Sequence, residues 1–133
     1  MTDLVTIDEA RTHLRLDTGT ADDAWLAIFI PAISESVLNW LKDEWRAYVP
    51  ELGPDGLPLE DSSGDTIPAI DSSGEMTPKW VVKAAVLIEL ASTAKNREGG
   101  GTDNVVPADA GYGYVLNKAS TALLAPLRKS TVA

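Results

Sequence analysis

Residues 22–45, DDAWLAIFIPAISESVLNWLKDEW, decide the fold. Leu26, Phe29, Ile30, Ile33, Val37, Trp40 and Leu41 recur at intervals of three and four, which places them on one stripe of an α-helix. Asp22 and Asp23 fall in its first turn, where carboxylates meet the positive helix end. Taken from Ala21 to Trp45, the helix is about 37 Å long at ~1.5 Å per residue. Pro31 interrupts it by removing a backbone hydrogen bond and crowding the carbonyl of Ala27. A helix boundary and a kink both satisfy that geometry. The apolar stripe keeps its phase across Pro31, so the pattern favours one kinked helix.

Upstream, Thr6-Ile-Asp-Glu9 has the spacing of a capping box. Ile7, Ala10 and Leu14 follow at helical spacing, so a short helix is expected over about 7–14, running into the turn-like Thr18-Gly19-Thr20. Downstream, residues 46–77 lose the period. Pro50, Gly53-Pro54, Asp55-Gly56, Pro58, Gly64, Pro68 and Gly74 punctuate them, and Asp-Ser-Ser-Gly occurs at 61–64 and again at 71–74. Leu57–Glu60 and Thr66–Ile70 fit a weak hairpin about the first of these turns. Its prolines suit edge strands, and an isolated hairpin is marginal unless it packs on something. Thr77 as cap and Pro78 at the first helical position open a third helix that runs to Arg97, before Gly99-Gly-Gly101. Residues 102–114 read as loop. A short last helix follows from Asn117 through Ala119, Leu123 and Leu124 to Pro126, and residues 129–133 read as a flexible tail. The expectation is an all-α fold in one domain spanning 1–133. It is a small helical bundle with two long antiparallel helices, short flanking helices and an acidic loop or hairpin insert at 46–77.

The third helix has two apolar sides in this reading. Val81, Ala84, Ala85, Ile88 and Ala91 form a core face. Lys79, Lys83, Val86 and Leu90 share another. A surplus apolar stripe is what a subunit contact needs, unless the insert or the C-terminal segment covers it. Trp40 falls on the core stripe of the second helix. Trp25, Trp45 and Trp80 stand at helix ends, as core edges or as anchors for the insert or a neighbour.

The chain has 133 residues, 20 Asp+Glu against 11 Lys+Arg, a net charge of -9 and no cysteine. Disulfides, thiol catalysis and cysteinyl zinc are therefore excluded. The acidic excess is uneven: residues 43–76 hold nine acids and one base, whereas residues 77–133 hold four acids and seven bases. An acidic, turn-rich middle reads as a solvent-facing segment. An acidic chain gains nothing from the phosphate backbone of DNA or from an anionic membrane surface. The N-terminus, MTDLVTIDEA, has no secretory pattern, and no stretch is expected to span a bilayer.

Chemistry is thinly supplied. His13 is the one histidine and reads as solvated or capping, because no Gly-x-Ser-x-Gly or equivalent nucleophile motif accompanies it. Asp61, Ser63 and Asp65 imitate the first positions of a calcium loop, but Thr66 stands where Gly is required and Ser72 where Glu is. The second turn, with Asp71, Ser73 and Glu75, ends on Val82 in place of that Glu. Asp22 with Asp23, and Asp43 with Glu44, are sequence neighbours and do not face each other on a helix. Gly99-Gly-Gly101-Thr102 lacks the lysine of a nucleotide loop, and Gly111-Tyr-Gly-Tyr114 is no dinucleotide fingerprint. No catalytic, cofactor-binding or metal-binding residue is expected, and no enzyme activity.

Several segments, in order, resemble the head–tail connector (adaptor) family of tailed bacteriophages. They are Leu4-Val-Thr-Ile-Asp-Glu-Ala-Arg-Thr-His-Leu-Arg-Leu-Asp17, Asp22 to Ile33, Pro78 to Ile88 with Asn96-Arg-Glu98, and Leu123-Leu-Ala-Pro-Leu-Arg128. The resemblance covers roughly residues 4–45 and 77–128. The 46–77 insert is longer than the short link of the simplest members, although some relatives carry a hairpin there. The resemblance implies a non-enzymatic virion component of the neck region, assembled in the host cytoplasm. It implies self-association into a ring of about twelve subunits under the portal protein, with a tail-joining protein on the other side. DNA would pass through the channel without specific binding, and no membrane is involved. It also puts Leu123, Leu124, Leu127 and Arg128 in the segment near the portal. The alternative is a small helical regulatory or adaptor module that binds protein or DNA, the first two helices imitating a helix-turn-helix. Against DNA, Asp22 and Asp23 would face phosphate.

Overall fold

A computed structural model of the chain describes residues 3–14, 22–97 and 116–129. These are mostly helical. In chain order they form α1 (Ile7–Leu14), α2 (Asp23–Leu41), a 3₁₀ turn (Glu44–Ala47), α3 (Trp80–Arg97), α4 (Lys118–Leu124) and a second 3₁₀ turn (Ala125–Leu127). The readings at Thr18-Gly19-Thr20, Gly99–Gly101, 102–114 and 130–133 lie outside the described residues.

The capping box forms as its spacing predicts. The Glu9 amide donates to Thr6 Oγ1 at 3.1 Å and the Thr6 amide to Glu9 Oε1 at 2.9 Å, which satisfies two of the donors that a helix start leaves open. α2 runs unbroken through Pro31, so the proline is no boundary. Leu26, Ile30, Ile33, Val37 and Leu41 are buried along it, with Phe29 and Trp40 half-buried at the margins. Buried Ser34 lies on the same face, its Oγ accepting the Leu4 amide at 3.0 Å. The helix stops at Leu41, earlier than the pattern suggests, because Lys42 turns to a φ of 79° and returns its amide to the Leu38 carbonyl. Trp45 belongs to the 3₁₀ turn that follows.

α2 departs from expectation in one further respect. Its 19 residues have a mean hydropathy of 1.4, long and apolar enough by length and composition to cross a membrane. Here its apolar stripe packs on α1 and α3.

α3 begins at Trp80, not at Thr77-Pro78. Thr77 and Pro78 are used in backbone pairing with the segment after α2: the Val49 amide donates to the Thr77 carbonyl at 2.8 Å and Tyr48 bridges Pro78. The helical bonds start one residue later, from the Lys83 amide to the Lys79 carbonyl at 3.0 Å.

The face assignment on α3 is corrected too. Its buried positions are Val82, Ala85, Val86, Glu89 and Leu90, which recur as one stripe of the ordinary three-and-four kind. Val81, Ala84, Ile88 and Ala91 are only half-buried. Val86 and Leu90 are each 0% exposed within a single chain, so they offer no surplus stripe to a neighbour. α4, α2 and α1 all pack on α3. Ser120 on α4 donates to the Ala85 carbonyl at 3.2 Å. Glu89 accepts the Asn117 amide at 2.6 Å and the Asn117 side-chain amide at 3.2 Å, fixing the N-cap residue of α4.

The last segment returns to α2 and serves its open C-terminal carbonyls. Arg128 Nε donates to the Trp40 carbonyl at 2.9 Å, and the Lys129 amide to the Leu41 carbonyl at 3.3 Å. Arg46 Nη1 reaches the Leu127 carbonyl at 3.3 Å. Lys129 is thus tied to the body, at the start of the segment expected to be a free tail.

A buried Leu90 makes a direct prediction. Leu90→Ala should destabilise the protein by about 3 kcal/mol, by the same amount at low and at high protein concentration, because the cavity opens inside one chain. Urea unfolding followed by circular dichroism at both concentrations measures it.

Candidate interaction surface

Residues 48–78 fold into three tight turns held by backbone bonds and by aspartate side chains that accept amides within the turns. Tyr48, Pro50 and Leu52, on one outgoing pass, bridge Pro78, Pro68 and Pro58 in that order. Two smaller bridges, Glu60 with Thr66 and Ile70 with Met76, close the hairpins between them. The hairpin expected about residues 61–64 is present, as one of three.

The prolines explain why this works. In an antiparallel pair, residues at a non-hydrogen-bonded position donate nothing to the partner strand. The Pro50–Pro68 bridge is flanked by bonds from the Glu51 amide to the Ile67 carbonyl and from the Ala69 amide to the Val49 carbonyl, at 2.8 and 2.9 Å. The Leu52–Pro58 bridge is flanked by Gly53 to Leu57 and Leu59 to Glu51, both at 2.8 Å. Each proline therefore sits where its missing N–H costs nothing. Three passes also close a triangle: Leu59 donates to Glu51, Glu51 to Ile67 and Ile67 to Leu59.

The turns repeat one geometry. Gly56, Gly64 and Gly74 have φ of 78°, 84° and 84° and donate to the carbonyls of Gly53, Asp61 and Asp71. This is a three-residue hairpin loop whose last residue is left-handed, a position suited to glycine. Asp61 Oδ1 accepts the amides of Ser63 and Asp65 at 2.8 and 3.0 Å. Asp71 Oδ1 accepts the amides of Ser73 and Glu75 and the Ser73 hydroxyl, the last at 2.7 Å. The Ser73 hydroxyl and the Glu75 amide hold the Asp71 carboxyl below its ordinary range. Both calcium-like aspartates are engaged with their own turns. Among the described residues, no group of three His, Asp or Glu side chains could hold a metal ion.

The insert has no core. No residue from Val49 to Thr77 is buried. Leu52, Leu57 and Ile70 are 54%, 62% and 63% exposed, and Val49, Leu59 and Ile67 are exposed as well. Residues 47–78 contain seven acids and no Lys or Arg. At the root, Ala47 and Tyr48 are buried and Met76 packs against the core. Trp80, just past the root, is 82% exposed, with the Lys83 ammonium 5.4 Å from its ring.

Lys83 also ties the root of α3 to α1. Its ammonium meets Glu9 Oε2 at 2.9 Å. Burial pushes the Glu9 carboxyl up, but the Lys83 ammonium together with the Thr6 amide and hydroxyl outweigh it and hold Glu9 below its ordinary value. Lys79 is pushed down by burial and by the like charge of Arg46. Arg11 joins α1 to the start of α2, bonding both Asp8 and Asp23.

The remaining sequence candidates are scattered. His13 is exposed on α1, beside a shallow hollow of about 440 Å³ lined by Asp8, Glu9, Thr12 and Leu87. Asp43 pairs with Arg46 at 3.0 Å. Leu124 is buried, and Leu123 and Leu127 pack against the same core, so these three face inward. Arg128 is exposed, its guanidinium 4.6 Å from the Trp40 ring centre. Trp25 stacks on Phe29 at 5.0 Å. The sequence held an unused signal for the insert. Pro58-x-x-Asp-Ser-Ser-Gly64 repeats as Pro68-x-x-Asp-Ser-Ser-Gly74, and the ten-residue spacing continues to Pro78.

No protein family, curated protein or solved structure matches this chain.

Two outcomes follow from these bonds. Gly64→Ala should weaken its hairpin by about 1 kcal/mol, a backbone cost alone because the space for the new methyl is open. The Ile67 and Asp61 amides should then exchange faster while the helical circular dichroism is unchanged. Glu9→Gln keeps the capping bond, since glutamine also serves there, but loses the charge that meets Lys83 and should cost about 0.5 kcal/mol at neutral pH. A carboxyl held low in the folded state stabilises above its unfolded value and loses that contribution as pH falls through the folded one. The gap in melting temperature between wild type and Glu9→Gln should therefore narrow as the pH drops below 4.5, the ordinary value for this group.

Proposed function

We propose that this chain is a structural head–tail connector subunit of a tailed bacteriophage. It forms a ring of about twelve copies under the portal protein and receives a tail-joining protein on its other side, while DNA passes through the channel. Its place is the neck of the virion, after assembly in the host cytoplasm, and it carries out no catalysis. The supporting observation is the insert: an acidic stack of hairpins with exposed leucines and isoleucines and no buried residue of its own. A segment ordered by backbone bonds, but left uncovered, is suited to contact with another protein. In this reading α2 and α3 take the place of the two long antiparallel helices that the family resemblance implies. The acidic balance suits a channel wall that does not grip DNA.

The earlier physical support for subunit contact, a second apolar side on α3, is gone, because Val86 and Leu90 are consumed within the chain. The insert and the exposed Trp80 take its place as the uncovered surface. The DNA-binding alternative is weakened further because Arg11 of α1 is already engaged by Asp8 on its own helix and by Asp23 at the start of α2.

Light scattering across a concentration series, followed by electron-microscope images of the protein mixed with portal rings from the same phage, tests the reading. The expected result is a rise in mass and a second ring stacked on the portal. A strict monomer at high concentration that also leaves the portal bare overturns it.

A further inference from the structure

We propose that the hairpin stack docks on the C-terminal end of α2 in a second copy of this chain. This rests on the self-associating subunit proposed above and names the two surfaces that meet. The first is the apolar surface that the insert leaves uncovered. Leu59 and Ile67 lie on adjacent passes joined by a backbone bond of 2.9 Å. Leu52 and Leu57 flank the first turn, and all four remain exposed. Around them are acids with no neutralising base anywhere in residues 47–78. Any occupant must supply apolar surface and positive charge together.

This chain builds such a surface at the end of α2. Trp40 is half-buried there, with the Arg128 guanidinium over its ring. Lys42, Arg128 and Lys129 are exposed, and none has an acidic partner among the described residues. They gather for a reason internal to the fold: the returning C-terminal segment satisfies the carbonyls of Trp40 and Leu41, and cations favour the negative helix end. The result is a tryptophan under one guanidinium, with Lys42 and Lys129 on the adjoining stretches of chain, and Trp and Arg are both enriched at the centre of interfaces.

No described ion pair joins an insert acid to Lys42, Arg128 or Lys129. The bonds from Lys79 to Ala47 and from Val49 to Thr77 fix the root of the stack. A second copy offers the same cations free of that restraint.

The test reverses charge on each surface without touching the bonds that hold the fold. Glu51→Lys, Glu60→Lys and Asp65→Lys together alter acids whose side chains make no described hydrogen bond. Lys42→Glu with Lys129→Glu alters the other surface and spares Arg128. Sedimentation velocity at low salt is the readout, with circular dichroism confirming that each variant is folded. Wild type should self-associate and should dissociate as salt is raised, since screening shortens the reach of surface charge. Each reversed variant alone should associate at least about tenfold more weakly. An equal mixture of the two, or one chain carrying both sets, should recover association. Self-association that ignores both reversals overturns the docking surfaces and leaves the ring reading standing. Charge-dependent association that stops at a dimer, with no closed ring in images, upholds the docking and overturns the ring. A wild-type protein that stays monomeric at low salt overturns the docking, and it overturns the ring as well only when it also leaves the portal bare.

Discussion

The fold depends on the return of the C-terminal segment across α2 and α3. Without α4, the stretch of the buried α3 stripe around Ala85 and Glu89 would lose part of its cover. With it, Val86 and Leu90 are sealed, and the polar groups in the seam are paired: Glu89 with Asn117, and Ser120 with the Ala85 carbonyl. Burying a carboxylate without donors is costly, so the Asn117 donors are a condition of placing α4 there at all. The same segment then supplies Arg128 and the Lys129 amide to the end of α2. One stretch of chain closes the core and finishes a helix.

The insert obeys a different rule. The helical body is stabilised by apolar burial, whereas the insert has none and relies on registered backbone bonds and aspartate-braced turns. Such a stack holds only if its prolines fall at positions that donate no bond. Pro58, Pro68 and Pro78 do so because they are spaced to meet alternate residues of a single outgoing pass, Leu52, Pro50 and Tyr48. The ten-residue period is therefore a register device. A shift of one residue would put a proline where a donor is required and would unseat the triangle of Glu51, Leu59 and Ile67.

These differences decide what could be read from the sequence. The capping box of α1 and the stripe of α2 are local patterns, and both were legible with nearly correct bounds. The start of α3 was not, because Thr-Pro suits a helix cap and an extended pair equally well; the choice is made by Tyr48 and Val49, almost thirty residues away. The buried face of α3 was misread by one position. Glu89 sits in the middle of the true stripe, and an acid there breaks the apolar count that a periodic reading relies on. Its partner, Asn117, lies 28 residues further on, beyond any local signal. The insert was legible as acidic and turn-rich. Its repeat was visible in the prolines, but a search for alternating apolar strands passes over a stack that has no core to alternate around.

The misreading of α3 moved the uncovered surface from one place to another. Once Val86 and Leu90 are internal, the apolar surface that the chain fails to cover lies on the insert and at Trp80. That change bears on assembly. A helix face would join neighbours through rigid, salt-insensitive burial. In the assembly proposed above, an acidic stack with exposed leucines would join them through a contact with a large charged component, whose strength would follow ionic strength and whose approach would be steered by charge. Subunits of that kind would stay apart through the mutual repulsion of their inserts until an insert met cations. A chain with a net charge of -9, most of it in one segment, thereby favours contacts between unlike surfaces over contacts between like ones. Closed rings require that preference, because head-to-tail contacts join two different patches, whereas twofold contacts about the insert would set like charge against like.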